Sequence, residues 1–331
     1  MSFLPPRALI LAPMVELSHA ALRDLIASFG GCDRYSTEMS GAAAYVAGAP
    51  WDRWFLDTTP EPGLTSVQFF APDAPTLAQA IAKLRRELAA AGLPFGGVDL
   101  NFGCAAPQIE KAGGGVSWMK DPEGAAALVA TARSLLPDEP LSCKLRLGYE
   151  ESAPGLVSFC RGLADAGADW LTLHPRLRHE KFRRTGKWAY VGLLSGELDI
   201  PVIGNGDVRD LASFRAAVDG QGAGGVMIGR EAVRRPWIFA LLRGQDGDPA
   251  FSMIVDVLQT GMDFLDLLKR RLPPEFHLSR ARRFFFYYCD NLSFGHHLRF
   301  AIQNAPDLDT IERLFLSYFE QVPAERVQKQ A

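Results

Sequence analysis

Cysteine is scarce in this chain and scattered. The five thiols, Cys32, Cys104, Cys143, Cys160 and Cys289, include no Cys-x-x-Cys pair. That argues against a zinc site built on paired cysteines and against a dense disulfide framework. An odd number of dispersed thiols fits a reducing compartment. Long apolar runs are missing too, and none reaches the ~18 residues that would span a bilayer. The opening Met1-Ser2-Phe3-Leu4-Pro5-Pro6-Arg7 lacks the layout of a secretory signal. Nor is there an excess of one charge. The net charge is −3, from 35 Lys+Arg against 38 Asp+Glu. Any attraction to a polyanion must then come from a local patch. Together these absences predict a cytoplasmic protein with no membrane partner and no metal site.

What the chain does have is strand and helix in regular alternation. Strand-like runs fall at 8–14, 32–39, 65–71, 97–103, 141–147, 170–175, 201–205 and 224–229. Helical stretches lie between them, at about 18–29, 74–91, 122–136, 153–166, 188–197 and 209–219. Asp121-Pro122 reads as a helix start, with Asp as cap and Pro in the first turn. Eight such units predict a closed (β/α)8 TIM barrel of class α/β. A barrel takes about 250 residues, so the 331-residue chain has room for a second, small unit. Arg243-Gly244-Gln245-Asp246-Gly247-Asp248-Pro249 reads as a linker. Beyond it, 251–271, 277–291, 293–304 and 308–321 look helical, with no strand pattern. The expected division is a catalytic barrel over 1–243 and an all-α helical bundle over 250–331.

In a parallel barrel the carboxyl ends of the strands share one mouth, where such enzymes place their chemistry. Here those ends carry Asn101 and Cys104, Lys144, His174, Asn205-Gly206-Asp207 and Gly229-Arg230. The last two follow strands seven and eight, the usual phosphate-binding loops of this fold. Glycine lets backbone N–H groups approach an anion, and an arginine adds a charged contact. Lys144 sits between Cys143 and Leu145 and points the opposite way, toward the interior or mouth. An ammonium there is costly unless an anion or an electron-rich ring relieves it. A flavin does both. Gln68 offers amide contacts to the same ring, and Pro13-Met14 could pack flat against it.

At this point the sequence resembles the tRNA-dihydrouridine synthase family over essentially its whole length. The strongest segment is Val98-Asp99-Leu100-Asn101-Phe102-Gly103-Cys104 followed by Gly113-Gly114-Gly115. Supporting segments are Ala12-Pro13-Met14, Thr37-Glu38-Met39, Lys144-Leu145-Arg146-Leu147-Gly148, His174-Pro175-Arg176, Pro201 to Asp207 and Val226 to Arg230. The resemblance implies an FMN enzyme that reduces a uridine of tRNA to 5,6-dihydrouridine, with NADPH or NADH as transient reductant. It implies that Gln68, Lys144, His174, Asn205, Gly206, Gly229 and Arg230 hold FMN. It makes Cys104 the catalytic acid, with Asn101 positioning flavin or base. Ala105 stands where the family usually has proline, and His174-Pro175-Arg176 where it usually has His-Gly-Arg. The chain reads as a divergent bacterial-type member.

Reducing the C5–C6 bond of uracil needs a hydride at C6 and a proton at C5. Flavin N5 delivers the first. A thiol, with a reference pKa near 8.5, can supply the second, and Cys104 sits on a mouth loop as required. Cys32, Cys143, Cys160 and Cys289 read as small buried hydrophobes. Two basic clusters are candidates for RNA contact. One follows strand six, with Arg176, Arg178, Lys181 and Arg183. The other is Arg280, Arg282 and Arg283 in the C-terminal helices, beside the aromatic run 284–288, which is expected to be mostly core. Two rival readings are an FMN oxidoreductase of a free pyrimidine or dihydroorotate-type molecule, and a non-catalytic RNA-binding flavoprotein. The expected assembly is a monomer.

Overall fold

The computed structural model describes residues 3–180 and 184–331. Eight parallel strands form its centre: β1 (Ala8–Leu11), β2 (Tyr35–Gly41), β3 (Thr65–Phe70), β4 (Val98–Phe102), β5 (Leu141–Arg146), β6 (Trp170–His174), β7 (Val202–Asn205) and β8 (Gly225–Ile228). Each pairs with its neighbour in sequence order from β2 to β8, and β8 pairs with β1. A single parallel bridge between Ile10 and Arg34 completes the ring. The architecture is a TIM-type barrel. No helix among the described residues is long and apolar enough to cross a membrane.

Local chemistry explains most element boundaries. Asp121 accepts from Gly124 N and opens the helix Pro122–Leu135, as the Asp-Pro pair predicts. Asp73 caps Ala74–Ala90 in the same way. The second strand begins three residues later than expected. Asp33 turns its carboxylate back to Leu9 N, and this spends 32–34 on meeting β1.

The sequence reading fails at 253–256. That segment is a strand, β9 (Met253–Asp256), paired antiparallel with β10 (Val327–Gln330). Its alternating burial suits the pleat, and Asp256 then caps the helix Val257–Arg271. The remaining C-terminal helices are Pro274–Tyr288, Gly295–Asn304 and Leu308–Gln321. Within the aromatic run, Phe284, Phe285 and Tyr288 are buried, whereas Phe286 is 41% exposed. Phe284 stacks on Phe264 with ring centroids 3.7 Å apart.

One hydrophobic cluster joins Leu9 and Leu11 of β1, Leu22 and Ile26 of the helix Ala20–Phe29, and Phe264, Phe284, Phe285 and Phe315 of the C-terminal helices. A second cluster lies under the helices that follow β3 to β6 and takes Val98, Leu100 and Phe102 from β4. Those three point outward, so Asp99 and Asn101 point inward. The register sets Gln68 beside Asp99, Asp99 beside Ser142, and Asn101 beside Lys144. The interior toward the mouth is therefore polar, and this opens the site.

Candidate active site

A cavity of about 680 Å³ occupies the barrel mouth. Every catalytic and cofactor-binding residue expected from the sequence lines it: Cys104, Asn101, Pro13, Met14, Gln68, Lys144, His174, Asn205, Gly206, Asp207, Gly229 and Arg230. The other four cysteines lie elsewhere, and burial pushes the thiols of Cys32, Cys143, Cys160 and Cys289 up.

Cys104 sits just past β4, and its backbone is held at both ends. Asn101 Oδ1 accepts from Cys104 N at 2.8 Å and from Gly103 N at 3.1 Å. Cys104 O accepts from Val116 N at 2.9 Å. Gly115, at φ +63°, lets the returning chain come this close, because a side chain there would collide with the Cys104 carbonyl. Next comes the short helix Pro107–Lys111. Its Glu110 takes a forked ion pair from Arg178 and a 2.8 Å hydrogen bond from Tyr149 Oη. The loops after β4, β5 and β6 are thereby tied together behind the thiol.

Positive charge concentrates on the next two strands, β5 and β6. Burial, with Arg146 two residues along the strand, brings Lys144 from the usual 10.5 down to about 8. Burial also lowers Arg146, with Arg176 adding to the effect. His174 is 5% exposed, and its Nε2 lies 3.0 Å from Arg176 Nη1. A guanidinium can only donate, so Nε2 accepts and the ring proton sits on Nδ1. Burial first, then the surrounding Lys144, Arg146, Arg176 and Arg230, hold this imidazole well below its ordinary value. It is neutral.

The turn after β7 is built on Gly206, at φ +113°, where a Cβ would lie 2.9 Å from Arg176 Nη1. Asn205 Nδ2 donates to Met227 O at 2.7 Å and locks this turn to β8. Asp207 is fully engaged. It accepts both Nη2 bonds of Arg176 and also Gly186 N at 2.7 Å. It braces the turn through Arg176 while still lining the cavity. Gly229 caps the five-residue helix Arg230–Arg234, and Arg230 is exposed at the cavity wall.

The RNA-contact expectations fare differently from one another. Arg176 is 2% exposed, with its donors committed to Asp207, the Arg184 carbonyl and His174; it is an internal brace and not a surface cation. Arg178 pairs with Glu110 and keeps about a third of its side chain in solvent. Arg280 is 7% exposed and pairs with Glu16 at 3.3 Å. Arg282 donates to Ala305 O at the end of the helix Gly295–Asn304. In each case a local acceptor captures the guanidinium. Arg283 keeps half its side chain in solvent, 3.8 Å from Glu16. Lys181 and Arg183 lie outside the described residues.

Arg146, Met39, Phe286 and Tyr287 also line the cavity and were given no site role from the sequence. Arg146 was within reach, because it is two residues from Lys144 on one strand and so shares its face. Phe286 and Tyr287 were not, since only the packing of the C-terminal helices brings them to the mouth.

The dihydrouridine synthase family model matches residues 10–317. The chain is 35% identical over 235 residues to the tRNA-dihydrouridine(16) synthase of Neisseria meningitidis serogroup A, covering 69% of this chain and 68% of that one. It is 30% identical over 313 residues to the tRNA-dihydrouridine(16) synthase of Cupriavidus necator, covering 92% and 95%. Among solved structures, the old yellow enzyme from Trypanosoma cruzi aligns with a TM-score of 0.50 at 10% identity, over 73% of this chain and 88% of that one. That last likeness bears on the fold alone.

Proposed function

This chain belongs to the dihydrouridine synthase family of flavin-dependent oxidoreductases, and from that premise we propose that it reduces a uridine of tRNA to 5,6-dihydrouridine using FMN and NADPH or NADH. The observation that carries the reading is the meeting, in one cavity, of Cys104 with Lys144, His174 and the two glycine turns. Relatives named for position 16 make uridine 16 the position to test first.

FMN fits the residues present. The gap at Gly206, the turn at Gly229 and the exposed Arg230 would hold its phosphate. Lys144, whose half-buried ammonium gains from a neighbouring anion or electron-rich ring, would hold the isoalloxazine edge. His174, Gln68 and Asn205 would add hydrogen bonds, and Pro13 and Met14 an apolar wall. When bound, the flavin supplies a hydride from N5 to C6 of the uracil.

The remaining chemistry falls to this chain's side chains. Cys104 donates the C5 proton through its Sγ, on a loop fixed at N and O. Neutral His174 orients its partners without adding charge at the reacting centre. The uracil must leave its stack to enter the mouth, which costs a few kcal/mol. Exposed cations at the rim, Arg184 and Arg283, repay part of that through phosphate contacts. Such an enzyme works in the cytoplasm, as a monomer.

The deciding experiment is mass-spectrometric mapping of dihydrouridine in RNA from cells lacking the gene. Loss of the modification at one tRNA position, restored by the purified yellow protein with NADPH, supports the reading. Retention of every dihydrouridine, with turnover on free uracil instead, removes it.

A further inference from the structure

The polar interior contains a hydrogen-bonded chain that ends on the thiol's own backbone. Its direction can be read from one end. Gly103 N–H and Cys104 N–H can only donate, so the atom of Asn101 facing them must be its oxygen. Asn101 Nδ2 therefore points away, and it donates to Gln68 Oε1 at 3.0 Å. The amide of Gln68 is fixed in turn, and its Nε2 donates to Asp99 Oδ2 at 2.6 Å. Asp99 is the terminal acceptor, and its other oxygen takes Ser142 Oγ at 2.5 Å. Asp99 is 2% exposed and Gln68 1%, so water does not compete for these bonds. The chain crosses three strands, β3, β4 and β5, through residues that face inward in register.

We propose that Asp99 is a positioning residue: acting through Gln68 and Asn101, it fixes the backbone at Cys104 and so the direction of its thiol. The inference rests on the reading of Cys104 as proton donor, but its geometry does not depend on the substrate. Without an acceptor at position 99 the Gln68 amide is free to turn over. Asn101 then loses the partner that keeps its oxygen on the Cys104 loop. A buried amide chain of this kind is stable only when every member is satisfied.

Two substitutions separate positioning from charge. Asp99→Leu removes the acceptor. Asp99→Asn removes the charge but keeps an oxygen for Gln68, because the Ser142 hydroxyl can turn to accept from the new amide. Cys104 alkylation by iodoacetamide, followed by peptide mass spectrometry on the flavin-loaded protein, needs neither RNA nor turnover. We expect Asp99→Leu to speed alkylation about fivefold by loosening the loop. Its kcat on tRNA should fall about 10- to 100-fold, with KM within about twofold. Asp99→Asn should stay within about threefold of the parent in both assays. If Asp99→Leu does not yield folded protein, Gln68→Leu breaks the chain one link later and must give the same faster alkylation. Unchanged alkylation in the Leu variants overturns the proposal, as does an Asp99→Asn variant as impaired as Asp99→Leu. Should the protein prove inactive on tRNA, the alkylation results stand on their own, so the two failures are distinguishable.

Discussion

Arg176 grips Asp207 through paired hydrogen bonds of 2.6 and 2.7 Å, from the loop after β6 to the turn after β7. Asp207 has φ +63°, in the left-handed region that few residues other than glycine, Asn and Asp adopt. The guanidinium holds it there: Nη2 donates to both carboxylate oxygens, Nε is anchored on the Arg184 carbonyl, and Nη1 fixes the tautomer of His174. Arg176→Lys supplies one charged nitrogen but loses the contacts of Nε and Nη1 to the Arg184 carbonyl and His174, and should rescue little. Arg176→Ala should cost about 2–3 kcal/mol of stability, somewhat less than a fully buried pair because Asp207 is 28% exposed. Chemical denaturation of the flavin-free protein measures this. A loss under about 0.5 kcal/mol would show the turn to be held by something else.

The role of Cys104 predicts a separation of binding from chemistry. Cys104→Ala should leave the protein yellow, with FMN affinity within about threefold of the parent, and slow dihydrouridine formation about 100-fold or more. Single-turnover oxidation of the reduced protein by tRNA reads the chemical step directly. Parent-like rates would take the proton-donor role away from this thiol.

Lys144 gives the site a pH signature. Its folded value of about 8 lies below the usual 10.5, so the unfolded chain binds this proton more tightly. Burial of the ammonium therefore costs stability below pH 8, and the cost fades as pH rises from 8 toward 10.5. An anion in the cavity favours the charged form. FMN affinity should thus be greatest below pH 8 and weaken above it, by up to about tenfold per pH unit. Fluorescence titration from about pH 6.5 to 9.5 tests the trend. Lys144→Gln should bind more weakly, with a flat profile over the same window.

The C-terminal arginines should divide by exposure. Arg283→Ala, which removes a half-exposed cation, should weaken tRNA binding and lower the salt slope by about one. Arg280→Ala should act mainly on stability, because that side chain is buried against Glu16 and Phe276. Anisotropy titrations with labelled tRNA at several salt concentrations, paired with thermal melts, separate the two. Equal effects on binding from both variants would contradict the division.

The strand ends that carry Cys104, Lys144 and His174 were legible because a barrel strand has one mouth end and a period of two. What was not legible is which partner each charged side chain takes. Nothing in the run Arg280 to Arg283 says that Glu16, far away in sequence, will take the first guanidinium, or that Ala305 will offer its carbonyl to Arg282. Nor does Asp207 announce an arginine partner. Charge is visible in a sequence, but its neutralisation depends on contacts between distant segments. The strand at 253–256 was hidden for the same reason, since its pairing partner lies at 327–330.

The hydrophobic cluster shared by β1, the helix Ala20–Phe29 and the aromatic C-terminal helices has a consequence for how the chain matures. The first barrel helix to leave the ribosome exposes Leu22 and Ile26 to water until Phe264, Phe284 and Phe315 have been synthesised. This face of the barrel is therefore closed only once the last quarter of the chain has packed against it.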